Sequence, residues 1–169
     1  MPFQLNPAIP PEGMSTAEYF GGRMPPGRLD MMRAELRARA ETLGLPMDLP
    51  DFICNTGRAH QLAEYARAEG RLDQVILPLF QAYFVEGLNL HDEAVLAEAA
   101  EAAGLDREKA LSAVRTGSYA QRLDEHLALA GRYGVGSVPT FIVNDRYKIV
   151  GAQPYEPLRD ALRQIAQEG

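Results

Sequence analysis

The segment 133–153, near the end of the chain, constrains the fold more than any other part of the sequence. Its two apolar runs, 140–143 and 147–150, are rich in β-branched and aromatic residues, and Asn-Asp-Arg (144–146) between them suits a tight turn. This pattern predicts a β-hairpin. Val138–Pro139 stands directly before the first run. Proline cannot donate to a strand ladder, so it belongs at the start of a strand, and an X–Pro bond is the common place for a cis peptide. We therefore predict a cis bond here.

Several motifs occur in a fixed order along nearly the whole chain. They are Pro-Phe-Gln-Leu-Asn-Pro (2–7), Asn-Thr-Gly-Arg-Ala-His (55–60), Leu-Phe-Gln-Ala-Tyr-Phe-Val-Glu-Gly (79–87), Gly-Val-Gly-Ser-Val-Pro-Thr-Phe (134–141) and Gly-Ala-Gln (151–153). Together they resemble the DsbA-like, FrnE-type oxidoreductases of the thioredoxin fold. The relatives of that family include the kappa-class glutathione transferases and the 2-hydroxychromene-2-carboxylate isomerases.

The resemblance implies an α/β fold that is mostly helical, in which a helical domain is inserted into a thioredoxin-like domain. We place a partial thioredoxin-like domain at 1–12 and 133–169, and the helical insert at 13–132. Family members begin with a strand, a Cys-x-x-Cys motif (or a serine-bearing version) that opens a helix, and a second strand. Residues 3–5 look like the end of that second strand. The redox motif itself does not occur in this sequence.

The resemblance also implies a function, namely thiol–disulfide exchange on protein thiols and disulfides. Val138, Pro139 and Thr140 would then bind the substrate, whereas no residue of this chain matches the attacking cysteines. We therefore expect the chain alone to be inactive. Two alternatives remain open. One is a glutathione-dependent isomerase or transferase, with Asn55 and Val138 binding the tripeptide. The other is a non-catalytic, dimeric binding module. Apart from glutathione, no cofactor is expected.

Cys54 is the single cysteine of the chain. It allows no intramolecular disulfide and no zinc site built from several thiolates. It is either a small apolar residue near a helix start or a candidate reactive thiol whose pKa is lowered by the helix N-terminus. Asn55 is either a helix cap or a glutathione contact. His60 is expected to be a hydrogen-bonded structural residue, and the spacing of the three histidines suggests no metal site.

The formal net charge of −6 comes with Lys and Arg residues scattered along the helices. This argues against nucleic acid and anionic membrane as partners. No apolar run approaches the roughly 20 residues of a membrane span, and the N-terminus has no signal-peptide pattern. These features predict a cytoplasmic protein. The chain is interpreted as part of a longer redox protein or as a short paralogue that has become a binding protein.

Apolar periodicity and capping residues predict the helices. Ser15 is expected to cap a short turn, and Asp92 and Asp106 to cap two later helices. The helix at 71–86 should be the most buried one and should be kinked or divided at Pro78. A methionine group is expected to fill the core, namely Met24, Met31, Met32 and Met47. The predicted helices span 15–20, 28–43, 55–69, 71–86, 93–103, 107–115, 119–133 and 156–167.

The strand at 140–143 would leave an apolar edge without a partner, and such an edge can pair with another chain. We therefore expect a homodimer formed through this edge.

Overall fold

The computed structural model describes residues 3–21 and 24–168. Within these ranges the chain forms eight helices and four short strands. Helices make up 55% of these residues, which confirms the predicted mostly helical α/β class. The elements are β1 (Met14–Ser15), α1 (Thr16–Phe20), α2 (Arg28–Thr42), β2 (Phe52–Ile53), α3 (Gly57–Ala68), α4 (Leu72–Phe84), α5 (Glu93–Ala102), α6 (Arg107–Arg115), α7 (Ala120–Arg132), β3 (Thr140–Val143), β4 (Tyr147–Val150) and α8 (Tyr155–Glu168).

The main apolar core lies among α3, α4, α5 and α6. Helix α3 is at its centre, because it contacts α4, α5, α6 and α7. Six alanines of α3 and α5 are almost fully buried, and such small side chains let neighbouring helices approach closely. They are Ala59, Ala63, Ala66, Ala97, Ala99 and Ala100. Leu62 and Leu96 are the largest apolar side chains with no exposed surface.

Helix α4 is not the most buried helix, contrary to the prediction. Its main contacts are with α3 and α5, and one side faces outward, with Leu77 70% and Phe80 55% exposed. Its wide apolar stripe therefore extends beyond the face that the core covers. The helix also continues through Pro78 without division.

The first sheet was not predicted. Strand β1 pairs antiparallel with β2, with Met14 opposite Ile53 and Ser15 opposite Phe52. Two-residue strands are too short for an alternating pattern to reveal. Residues 3–5, predicted as a strand, are not part of any sheet among the described residues.

The methionine group is not in the core. None of its four members is buried, and Met31 is 56% exposed. Polar contacts instead hold helix α2, since Arg33 pairs with Asp51 at 2.8 Å and Arg37 pairs with Asp48 at 3.1 Å. The apolar periodicity of α2 thus did not indicate a core-facing helix.

The hairpin is confirmed. Strands β3 and β4 pair antiparallel, with Val143 opposite Tyr147. Asn144 and Asp145 have φ values of 53° and 54°, the left-handed backbone that tight hairpin turns require. On one face, Lys148 Nζ donates to the Tyr133 carbonyl at the end of α7 at 3.2 Å. On the other, Tyr147 donates to Glu168 of α8 at 2.7 Å. The hairpin therefore lies between the ends of these two helices.

Two predicted helix caps differ in the structure. Asp106 accepts a hydrogen bond from the Lys109 amide at 2.9 Å, whereas the Asp92 side chain makes no capping bond. We expect Asp106→Ala to lower the free energy of unfolding by about 1 kcal/mol, because the Lys109 amide loses its acceptor. Asp92→Ala is the matched control and should lower the free energy of unfolding clearly less. Urea denaturation followed by circular dichroism measures both changes, and equal losses would contradict the assignment.

None of the helices in residues 3–21 and 24–168 is long and apolar enough to cross a membrane.

Candidate functional site

The backbone around Val138 has the features of a docking point. The Val138–Pro139 bond is cis, and the Pro139 carbonyl accepts from the Gly151 amide at 2.8 Å. The Thr140 hydroxyl donates to the Ser137 carbonyl at 2.7 Å. Val138 is 55% exposed, and its amide and carbonyl form no hydrogen bond with any described residue. Fixed neighbours therefore flank a residue whose backbone N–H and C=O groups are both unpaired within the described ranges.

A cavity of about 560 Å³ lies beside Val138. Asp145 carries the one formal charge among its lining residues. The Asp145 carboxylate accepts from the Tyr133 hydroxyl at 2.8 Å, and this hydrogen bond raises the pKa of Tyr133. The phenol is therefore neutral at pH 7, and the cavity suits an apolar side chain. The lining consists of Phe3, Leu129, Ala130, Tyr133, Val135, Val138, Pro139, Thr140, Ile142 and Asp145.

Of the candidate residues from the sequence, Val138, Pro139 and Thr140 line this cavity together, whereas Cys54 and Asn55 do not. The Asn55 side chain has three protein partners. Its Oδ1 accepts from the Gly57 amide at 2.9 Å and from Gln4 Nε2 at 3.0 Å, and its Nδ2 donates to the Ile9 carbonyl. Asn55 thus fastens the start of α3 to the N-terminal segment. A ligand contact by Asn55 stays a prediction.

Cys54 is buried in the main core, with 5% of its surface exposed. Burial raises the pKa of its thiol, because a thiolate loses its hydration there. The expectation of a lowered pKa at a helix start is therefore wrong for this residue, and the apolar role fits its surroundings.

The burial of Cys54 predicts low chemical reactivity. In the native chain, iodoacetamide should leave Cys54 unmodified across pH 7 to 8.5, since the thiolate is the nucleophile and the core excludes the reagent. In urea the same residue should be alkylated fully. Intact-mass spectrometry measures both states, and fast labelling of the native chain would show that the thiol is reachable.

His60 differs from its predicted role as a hydrogen-bonded structural residue. Its Nδ1 is buried and has no hydrogen-bond partner within residues 3–21 and 24–168. Burial lowers its pKa to about 4, with smaller effects from Glu64 and His126. The imidazole is therefore neutral at pH 7. In the described part of the chain, no group of three or more His, Cys, Asp or Glu side chains is arranged to hold a metal.

Sequence reasoning missed one buried charge. The Glu64 side chain has no exposed surface and pairs with Arg67 at 3.2 Å and with Arg122 at 3.0 Å. The i, i+3 spacing of Glu64 and Arg67 is a weak signal for such a pair. Arg122 lies on α7, far away in sequence, so only the tertiary structure brings it to Glu64.

Comparisons with known proteins identify the family of the chain. The sequence model of the DSBA-like thioredoxin domain matches residues 1–163. The uncharacterized protein YwbO of Bacillus subtilis (strain 168) is 28% identical over 148 residues, which cover 86% of this chain and 70% of that protein.

Two solved structures have similar folds. A probable DsbA oxidoreductase from Streptomyces coelicolor has a TM-score of 0.88 and 25% identity, with 99% of this chain and 74% of that chain covered. A 2-hydroxychromene-2-carboxylate isomerase has a TM-score of 0.70 and 24% identity, with 89% and 75% covered. The similarity to the isomerase concerns the fold alone. The match over residues 1–163 shows that the chain belongs to the DsbA-like thioredoxin domain family of oxidoreductases.

Proposed function

We propose that this chain takes part in thiol–disulfide exchange and that Val138, Pro139 and Thr140 hold the substrate. The observation that supports this most is the exposed residue Val138, whose backbone amide and carbonyl have no partner among the described residues. An extended substrate segment can bond to both groups, as an added strand does. The apolar cavity beside them would then accept a side chain next to the substrate sulfur.

The rigidity of the loop favours this mode of binding. The bond from the Gly151 amide to the Pro139 carbonyl, at 2.8 Å, anchors the loop to the hairpin on one side. The bond from the Thr140 hydroxyl to the Ser137 carbonyl, at 2.7 Å, anchors it on the other. A docking point that is ordered before binding loses little entropy when a ligand binds.

The chemical step needs groups that the binding surface does not supply. In exchange, a thiolate attacks one sulfur of a disulfide, a new S–S bond forms, the old one breaks, and the released thiolate takes up a proton. A second thiol then resolves the mixed disulfide. Cys54, the single cysteine of the 169 residues, is buried. We therefore propose a substrate-binding role for this chain, with no exchange activity from its own cysteine.

Insulin reduction by dithiothreitol tests the chemical part of the proposal. We expect the chain to leave the rate at that of dithiothreitol alone. A Cys54→Ala variant is the control. If the chain accelerates the reaction and the variant does not, Cys54 is a working thiol and the assignment is wrong.

Peptide binding tests the docking part. The probe is a short peptide with an S-methylcysteine between two leucines, and the readout is the set of ¹⁵N–¹H chemical shifts of the chain. We expect saturable shifts at Val138 and Thr140. N-methylation of the S-methylcysteine amide should weaken binding about fivefold, because one backbone hydrogen bond is lost. Equal affinities, or shifts away from residues 137–141, would contradict the proposal.

Glutathione is a second candidate substrate, because the backbone of its cysteine could bond to the amide and carbonyl of Val138. Titration with S-methylglutathione distinguishes this candidate from protein substrates. Shifts at Val138 together with Asn55 would favour the glutathione-dependent isomerase or transferase. With three protein partners on its side chain, we expect Asn55 to remain unshifted. Peptide binding without any exchange or transferase activity would favour the non-catalytic binding module.

We also propose that the chain forms a homodimer through β3. Strand β3 pairs with β4 alone among the described strands, and the side chains of Phe141 and Val150 are 41% and 46% exposed. Sedimentation velocity at micromolar concentration should show a dimer, and Phe141→Lys should shift it to monomer. A wild-type chain that sediments as a monomer would refute the dimer. The cytoplasmic location and the domain boundaries at 12/13 and 132/133 are likewise proposals from the sequence.

A further inference from the structure

A second cavity lies between α3 and α4. Its volume is about 430 Å³, within the range of small-molecule sites. Apolar side chains form most of its wall, and Phe80 stands 55% exposed at the outer side. The cavity shares no lining residue with the one beside Val138. The main apolar contacts come from Ala59, Ala63, Leu72, Ile76, Phe80 and Phe84.

Two hydrogen-bonding side chains line the cavity without a partner in the part of the chain that the structure describes. Thr56 and His60 are one helical turn apart, so they lie on the same face of the helix. The Thr56 side chain makes no capping bond, and His60 Nδ1 has no partner among the described residues. A neutral imidazole offers one donor and one acceptor. A partly buried pair of unused polar groups costs stability unless a ligand or water bonds to it.

The charges around the cavity favour an uncharged occupant. Arg67 is the one formally charged residue in the lining. Its Nε donates to the buried Glu64 carboxylate at 3.2 Å, so the guanidinium is already bonded to a protein anion, which Arg122 also contacts. The His60 imidazole is neutral at pH 7 because burial lowers its pKa to about 4. An ammonium group would therefore lose hydration here without gaining a counter-charge, and a carboxylate would have to compete with Glu64 for Arg67.

We propose that this cavity binds a small, uncharged and mainly apolar molecule with one hydroxyl or carbonyl group, and that His60 and Thr56 bond to that group. The apolar walls supply most of the binding free energy through burial of the ligand body. The two polar side chains orient the ligand. This second site does not depend on the proposed substrate site at Val138.

Ligand-observed ¹⁹F NMR tests the proposal with two matched probes, 4-fluorophenol and fluorobenzene, which differ by one hydroxyl. The wild-type chain should bind 4-fluorophenol about fivefold more tightly, since the hydroxyl gains a hydrogen bond. His60→Phe keeps an aromatic ring and removes both ring nitrogens, so it should reduce the preference for 4-fluorophenol. Thr56→Val should reduce the preference in the same direction. Circular dichroism confirms that each variant is folded.

A second pair of variants tests the location. Phe80→Ala removes part of the wall and should weaken both probes several-fold. Leu77→Ala is the matched control, because Leu77 is 70% exposed on the same helix and does not line the cavity. It should leave both affinities unchanged.

Four outcomes would overturn the proposal. The first two are no saturable binding up to the solubility of the probes and equal affinities of the two probes for the wild type. The third is an unchanged preference for 4-fluorophenol in His60→Phe and Thr56→Val. The fourth is a cavity that a second copy of the chain covers. Sedimentation velocity of Phe80→Ala and of the wild type detects the fourth outcome. Loss of self-association in the variant would identify the cavity as part of a dimer contact.

Discussion

Replacing both arginines that pair with Glu64 should destabilise the chain by about 3–5 kcal/mol. Glu64 has no exposed surface, and its carboxylate contacts Arg67 and Arg122 at 3.2 and 3.0 Å. The double variant Arg67→Met, Arg122→Met would keep much of the side-chain volume and leave a buried carboxylate without a counter-charge. Urea denaturation at pH 7 measures the loss. Each single variant should cost less than half of it, because one partner remains.

Replacing Glu64 alone by leucine should change the free energy of unfolding much less. The side chains of Arg67 and Arg122 are 37% and 50% exposed, so both can turn to water when Glu64 is absent. Adding Glu64→Leu to the double variant should also recover most of the lost stability, because it removes the unpaired buried carboxylate. Arg107→Met is the control for an exposed pair, since Arg107 and Glu101 are both about half exposed, and it should cost at most about 1 kcal/mol. A double variant no worse than this control would show that the arginines do not compensate Glu64.

Stability should fall as the pH drops from 6.5 to 4, and His60 should account for up to about 3 kcal/mol of the loss. Burial lowers the pKa of His60 in the folded chain from 6.5 to about 4, while Glu64 raises it and His126 lowers it by smaller amounts. The unfolded chain therefore takes up the proton first. The stability contribution is complete above pH 6.5 and is lost as the pH falls toward 4.

A comparison of variants isolates the contribution of His60. Urea denaturation at pH 7.5, 6, 5 and 4 gives the free energy of unfolding of the wild type and of His60→Phe. Carboxylates titrate in both chains, so the difference between the two curves reports on His60. We expect this difference to shift in favour of the variant as the pH falls. His91→Phe is the control for the lowered pKa of a more exposed histidine. Parallel curves for His60→Phe and the wild type would show that His60 titrates normally.

Local chemistry made several elements predictable. The hairpin followed from Asn144 and Asp145, because residues that tolerate left-handed backbone are needed in a tight turn. The cap by Asp106 followed from its position before an apolar repeat. In both cases the deciding contacts lie within a few residues of one another, so they depend little on distant parts of the chain. The family resemblance rests on motifs of the same local kind.

The candidate sites were less predictable. The residues Val138 to Thr140 could be named from the sequence, but the apolar cavity beside them also needs Phe3 and Leu129. The unpaired state of His60 depends on what α4 places next to α3. The raised pKa of Cys54 depends on how completely the core covers the thiol. Such properties are sums over neighbours that are distant in sequence.

The sequence by itself determined where most helices and the hairpin form, because turn, cap and periodicity preferences act between residues close in the chain. Only the tertiary structure decided that Cys54 is buried, that α4 keeps Leu77 and Phe80 exposed, and that Arg122 reaches Glu64. The physical reason is that burial and ion pairing depend on which helices meet. A helix presents the same apolar stripe whether a neighbour covers it or solvent does.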